Sequence, residues 1–179
     1  MMRKSIGSVL VTVGTTEFNE LIAAVDTPAF VQALRGVGAP RLVVQIGRGS
    51  YVPVVLPTEC GAAGIEFECF RLKDTLADDM QAADVIVSHC GSGSVLDAMS
   101  LHKTLVLVVN TALQDNHQSE LARAMTTAPH NHALATTPCG VVEMLVDLPA
   151  LRRGLAPYPE PDRDAFPAII DSLFDWRGR

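Results

Sequence analysis

One stretch of this sequence has residue types and spacing that suit holding a phosphate: Ser88-His89-Cys90-Gly91-Ser92-Gly93-Ser94. The apolar run before it, 84–88, reads as a buried strand. Gly91 and Gly93 can take positive φ and let another molecule approach the backbone. Ser92 or Ser94 can cap a following helix that carries Val95, Leu96, Ala98 and Met99. Strand, glycine-rich turn and helix N-terminus together bind a phosphate or diphosphate. The free N–H groups of the first helical turn face the anion, and the helix dipole favours it. Many αβ connections share this pattern and bind nothing, so its meaning depends on its surroundings.

Other residues near it offer complementary chemistry. His89 can donate to a phosphate or a sugar hydroxyl, or can bond neighbouring backbone. Asp97 lies about one turn into the helix. A carboxylate there can accept two bonds from a ribose diol, or can be a surface acid near the favourable end of the dipole. Near the start, Val11-Thr12-Val13-Gly14-Thr15-Thr16 ends a β-branched run in a turn of small hydroxyl residues. It lacks the Gly-x-Gly-x-x-Gly of dinucleotide folds and the Gly-Lys-Ser/Thr of a P-loop, which disfavours NAD binding and ATP hydrolysis. Later, Asn110-Thr111-Ala112-Leu113-Gln114-Asp115-Asn116-His117-Gln118 gathers amide, imidazole and carboxylate groups suited to sugar hydroxyls. Asp115 or Asn116 could equally be a plain helix cap.

Elements must place these loops together. Strands read at 8–13, 41–46, 65–70, 84–88, 104–109 and 132–136. Helices read at 20–25, 28–35, 73–82, 94–101, 116–125 and 141–146, the second capped by Asp26 or Thr27, with 51–64 irregular. A proline-rich strap over 147–163 and a helix over 164–176 close a single domain, 1–179. Alternating strands and helices predict an α/β fold with a doubly wound, Rossmann-like parallel sheet in the order 3-2-1-4-5-6. The first and fourth strands are neighbours in that order. Their loops, Gly14-Thr15-Thr16 and His89–Ser94, then face each other at the topological switch point, where ligands bind.

Composition narrows the classes. The 179 residues are 48% hydrophobic, which argues against disorder. Net charge is −6 with no basic cluster, so nucleic acid is not an expected partner. No apolar stretch reaches membrane-span length. The first residues lead into a strand rather than a signal peptide. Cys60, Cys69, Cys90 and Cys139 show no metal-ligand spacing, so no metal is expected and reduced thiols of a cytosolic protein are.

Four motifs in order carry a family resemblance: the Val11–Thr16 run, Gln45-Ile46-Gly47-Arg48-Gly49, Ser88-His89-x-Gly91-x-Gly93-Ser94, and Asn116-His117-Gln118-x-Glu120-Leu121-Ala122. The chain resembles the soluble, catalytic subunits of the UDP-N-acetylglucosamine transferase of dolichyl-diphosphate chitobiose synthesis, in glycosyltransferase family 28. The likeness runs nearly the whole length, including Tyr158-Pro159 and the terminal helix. It implies the C-terminal, donor-binding half of a glycosyltransferase-B fold, similar to that half of the bacterial lipid-linked peptidoglycan GlcNAc transferase.

The resemblance implies an inverting, metal-free and cofactor-free transfer of GlcNAc from UDP-GlcNAc to GlcNAc-diphosphodolichol. The donor-binding set would be Gly14, Thr15, Thr16, His89, Gly91, Ser92, Gly93, Ser94, Asp97, Asn116, His117 and Gln118. Asp97 would hold the ribose, and His117 and Gln118 the GlcNAc hydroxyls. A membrane-anchored, acceptor-binding subunit would supply the missing half and recruit the chain from the cytoplasm to the cytosolic face of the endoplasmic reticulum. The general base is expected on that partner, with His89 the candidate on this chain. Cys90 and Ser92 stand where the family pattern has alanines, Asp97 where it has Glu, and Lys103-Thr104 where it has Lys-Pro. The competing reading is a non-catalytic nucleotide-sugar-binding or regulatory module using the same crevice.

Overall fold

A computed structural model of the chain describes residues 6–110, 117–127 and 131–159. Six parallel strands form one sheet in the order β3-β2-β1-β4-β5-β6. They are β1 (Val9–Thr12), β2 (Arg41–Gln45), β3 (Glu66–Phe70), β4 (Val85–Ser88), β5 (Thr104–Val108) and β6 (Leu134–Thr136). This is the doubly wound order expected from the alternation of elements. Helices are α1 (Asn19–Val25), α2 (Pro28–Val37), α3 (Leu56–Ala63), α4 (Ala77–Ala82), α5 (Ser92–Ser100), α6 (His117–Thr126) and α7 (Val141–Leu151).

The period-2 geometry of the strands divides the core between two faces. Val9, Val11 and Val13 pack on one side with Leu21, Phe30, Leu34, Leu56 and Leu145, from α1, α2, α3 and α7. Leu10 points to the other side, with Ile86, Leu105, Leu107, Met80, Val95, Met99 and Ala122. Burial on both faces explains why β1 and β4 read as continuous apolar runs.

Several expected boundaries shift, each for a physical reason. The segment 51–64, read as irregular, contains α3. No side chain of its own caps α3; the buried Asp26 carboxylate accepts from the N–H groups of Val54, Val55 and Leu56 instead. With Asp26 so engaged, Thr27 caps α2 by accepting from the Phe30 N–H. The helix expected over 73–82 begins only at Ala77, because Lys73 is drawn to Glu68 and Asp79. The proline-rich strap does not begin at 147: α7 continues to Leu151 with Pro149 inside its last turn, then passes into a 3-10 turn over Arg152–Gly154. Proline that late in a helix removes only one hydrogen bond near its end. The expected helix over 164–176 lies outside the described residues.

Candidate functional site

β1 and β4 are hydrogen-bonded neighbours, with Thr12 opposite Ser88. Their carboxyl ends open into a cleft of about 530 Å³. Gly14, Thr15, Thr16, His89, Gly91, Ser92, Gly93, Ser94 and Asp97 all line it. Nine of the twelve expected residues thus converge on one crevice at the switch point. Gln118 sits one residue into α6 and does not line the cleft; it meets the cleft loop through Cys90. His117 opens α6, and Asn116 lies outside the described residues.

The glycine-rich loop after β4 differs from expectation in detail. Its positive φ falls on Cys90, at 62°, and not on Gly91 or Gly93. Gly91 is the N-cap of α5, with φ of −73°, and neither Ser92 nor Ser94 caps the helix. Val95 makes the first helical bond, to the Gly91 carbonyl. The amides of Ser92, Gly93 and Ser94 therefore open the helix without a side-chain acceptor, beside the cleft.

His89 is wedged between the two loops. A Cβ on Gly14 would lie 2.7 Å from its Cε1, and one on Gly91 would collide with Nε2. The missing side chains of these glycines make the slot for the ring. Burial pushes the imidazole pKa down from 6.5, so the ring is held neutral. Nδ1 is buried and has no hydrogen-bond partner among the described residues, as does the Ser88 hydroxyl.

The loop after β1 is tied down from behind. Thr12 Oγ1 donates to Gln45 Oε1 at 2.5 Å and accepts from the Gly14 N–H at 3.0 Å. Gly47 leaves no room for a Cβ against the Thr16 carbonyl, and the Arg48 N–H donates to that same oxygen. Gln45, Lys73, Asp74, Thr75, Leu76 and Met80 also line the cleft and were not foreseen as site residues. Gln45 carried a signal, an amide closing an apolar strand. Lys73 was hidden by the mistaken helix; its ammonium bonds Glu68 at 2.8 Å and Asp79 at 2.9 Å. It therefore brings little net positive charge to the cleft. A second cavity, of about 490 Å³, lies where Lys103 and Thr104 enter β5, at the opposite end of the sheet, and none of the expected residues reaches it.

The sequence profile of the glycosyltransferase family 28 C-terminal domain matches residues 8–149. The chain belongs to that family. The human UDP-N-acetylglucosamine transferase subunit ALG13 is 43% identical over 122 residues, which are 68% of this chain and 10% of the human protein. The chain thus spans about a tenth of the length of that relative. The solution structure of ALG13 superposes with a TM-score of 0.62 at 23% identity, covering 92% of this chain and 95% of that one. Acinetobacter baumannii MurG superposes with a TM-score of 0.63 at 16% identity, covering 97% of this chain and 51% of MurG. As a family 28 C-terminal domain, the chain has the fold of one half of a glycosyltransferase-B enzyme, as its motifs imply. The family profile takes in both cleft loops and the start of α6. Among the described residues, no cluster of three or more His, Cys, Asp or Glu could hold a metal ion.

Proposed function

We propose that this domain binds UDP-N-acetylglucosamine in the crevice and transfers GlcNAc to GlcNAc-diphosphodolichol. One relationship carries the reading: the uncapped first turn of α5 and the small-residue loop after β1 face one another across a cleft at the switch point. The names of the relatives, UDP-N-acetylglucosamine transferase subunits, support the donor and support a partner.

In this reading the diphosphate lies on the amides of Ser92, Gly93 and Ser94, with the hydroxyls of Thr15 and Thr16 opposite. His89 is the neutral imidazole donor beside it. Asp97 accepts from the ribose diol, and His117 and Gln118, with Asn116, meet the GlcNAc hydroxyls. During transfer the acceptor hydroxyl oxygen attacks the anomeric carbon from the face opposite the leaving group. The anomeric carbon's bond to the UDP oxygen breaks with inversion, and UDP departs with that electron pair as added negative charge on its terminal phosphate. Helix amides already oriented toward the growing charge stabilise it without reorganising; no metal or cofactor is called on. The acceptor proton passes to a base. His89 is the candidate on this chain, but its boxed and buried ring favours a base on a membrane-anchored, acceptor-binding subunit. That partner would hold the chain at the cytosolic face of the endoplasmic reticulum. Among the described residues, no helix is long and apolar enough to cross a membrane.

The burial of His89 also keeps a second reading in view, a nucleotide-sugar-binding module that transfers nothing. Calorimetry of the chain with UDP, and a transfer assay with UDP-GlcNAc after co-expression with a candidate membrane subunit, separate the two. Transfer by the pair alone supports the half-enzyme. UDP binding with no transfer in any pairing supports the module, and no UDP binding in either setting refutes both.

A further inference from the structure

Cys90 holds a backbone conformation that side-chain-bearing residues rarely adopt, with φ of 62°. Such strain persists where the surroundings over-determine it. Here they do so through the side chain. The residue is 1% exposed, and its thiol donates to the Gln118 carbonyl at 3.1 Å. Gln118 is the second residue of α6. Its own Oε1 accepts from the Asn110 N–H at 3.4 Å, at the end of β5. Asn110 Nδ2 in turn donates to the Glu17 carbonyl at 3.3 Å, just past the loop after β1. One chain of contacts therefore joins the loops after β4, β5 and β1, and its first link is a thiol.

We propose that Cys90 is a positioning residue that sets the start of α6 against the diphosphate loop and thereby places the sugar-contacting residues of the donor site. The claim rests on the donor-binding reading above. Burial raises the thiol pKa to about 11, so the sulfur stays protonated and remains a donor at neutral pH. An alanine here would keep the strained φ without the contact. A glycine would relieve the strain and also lose it.

The test uses the full chain with Cys90→Gly, Cys90→Ala and Cys90→Ser. Glycine suits the local φ, so that variant guards against simple misfolding. The first readout is amide hydrogen exchange without ligand at Leu121 and Ala122, the first N–H groups of α6 with intrahelical acceptors four residues back. Exchange there should quicken in the Gly and Ala variants and return toward the parent rate in Ser, whose hydroxyl can donate to the same carbonyl. The second is the ratio of affinities for UDP-GlcNAc and UDP. That ratio should fall about fivefold in Gly and Ala, the loss of one modest hydrogen bond, while UDP affinity holds and Ser restores the ratio. An unchanged α6 exchange pattern in both Gly and Ala overturns the positioning role. Changed exchange with an unchanged affinity ratio overturns its link to the sugar. Should UDP bind neither the parent chain nor its pair with a membrane subunit, the donor-site reading fails, and with it the link to the sugar, while exchange alone still decides the positioning of α6.

Discussion

Gly14 and His89 are in contact across the switch point, and a Cβ on the glycine would lie 2.7 Å from the imidazole Cε1. The ring can occupy the crevice floor only because position 14 has no side chain. Gly14→Ala is expected to destabilise the fold in two ways. The φ of 61° costs alanine about 1–2 kcal/mol, and His89 must also move. Gly91→Ala isolates the second effect, because Gly91 has an ordinary φ of −73°. Its expected loss is roughly 1–3 kcal/mol, typical of overpacking. Chemical denaturation of both variants, paired with UDP calorimetry, checks this; a Gly91→Ala protein with parental stability and UDP affinity would remove His89 from the crevice floor.

Gly93 makes the opposite case. Nothing lies within 4 Å of where its Cβ would be, and it sits in the first turn of α5. Gly93→Ala should therefore raise stability by about 0.5–1 kcal/mol, the usual gain on removing a helical glycine. UDP affinity should nevertheless fall, since the new methyl would intrude where a diphosphate in the proposed donor site approaches the backbone. A variant that gains stability and keeps its UDP affinity would place the diphosphate elsewhere.

Asp26 shows how a distant residue can build a helix. Its carboxylate is 4% exposed and accepts from the N–H groups of Val54, Val55 and Leu56 and from the Tyr51 hydroxyl. Asp26→Ala leaves these donors unmatched and should cost roughly 3–5 kcal/mol, several unsatisfied groups partly rehydrated. Tyr51→Phe removes a single donor and should cost about 1 kcal/mol. Equal effects of the two changes would contradict the assignment of Asp26 as the anchor of α3.

The same residue marks the limit of what the sequence reveals. Strand order was legible, because two-sided burial writes continuous apolar runs at β1, β4 and β5 and the winding follows from their alternation with helices. α3 was not legible, because its cap lies 28 to 30 residues upstream of the N–H groups it serves. The cleft loops were legible as glycine-rich turns. Which residue takes the positive φ was not, because Cys90 holds it through a contact with α6 that no local pattern announces. Lys73 reads as helical in sequence because its pairing with Glu68, which reaches back across a turn to β3, leaves no local pattern.

The held-neutral state of His89 has a pH consequence. Its pKa is lowered from 6.5 in the folded protein by burial. As pH falls through about 6.5 the unfolded chain takes up a proton that the folded chain does not yet accept. The unfolded state then binds more protons, so stability declines as pH falls, until the folded pKa is reached. Glu68 acts in a lower window: its carboxyl is held below 4.5, chiefly by Lys73, and its contribution is lost as pH falls below that value. Thermal midpoints at pH 7.5 and 5.5 should therefore differ more in the parent than in His89→Gln. Identical pH slopes would mean that His89 is not the titrating group.

Asp97 gives the sharpest test of how a nucleotide would lie. It is the sixth residue of α5, exposed, and borders the same cleft as the amides of Ser92 and Gly93. A diphosphate on those amides leaves the ribose about one helical turn further on, within reach of this carboxylate. Aspartate is shorter than glutamate by one methylene, so the contact depends on the nucleotide lying close to the helix. Asp97→Asn removes the charge and one acceptor oxygen while keeping the shape. UDP affinity should fall by roughly 1.5–3 kcal/mol, the range for a hydrogen bond to a charged group. The decisive comparison uses 2′-deoxy-UDP, which lacks one of the two ribose donors. The parent should discriminate against it, and Asp97→Asn should bind UDP and 2′-deoxy-UDP nearly alike, because the partner of that hydroxyl is already weakened. The loss should also survive added salt, since it comes from a directional bond and not from screened long-range charge. Discrimination that persists undiminished in Asp97→Asn would assign the ribose to another residue, and Asp97 would then be an ordinary acid on the exposed face of α5.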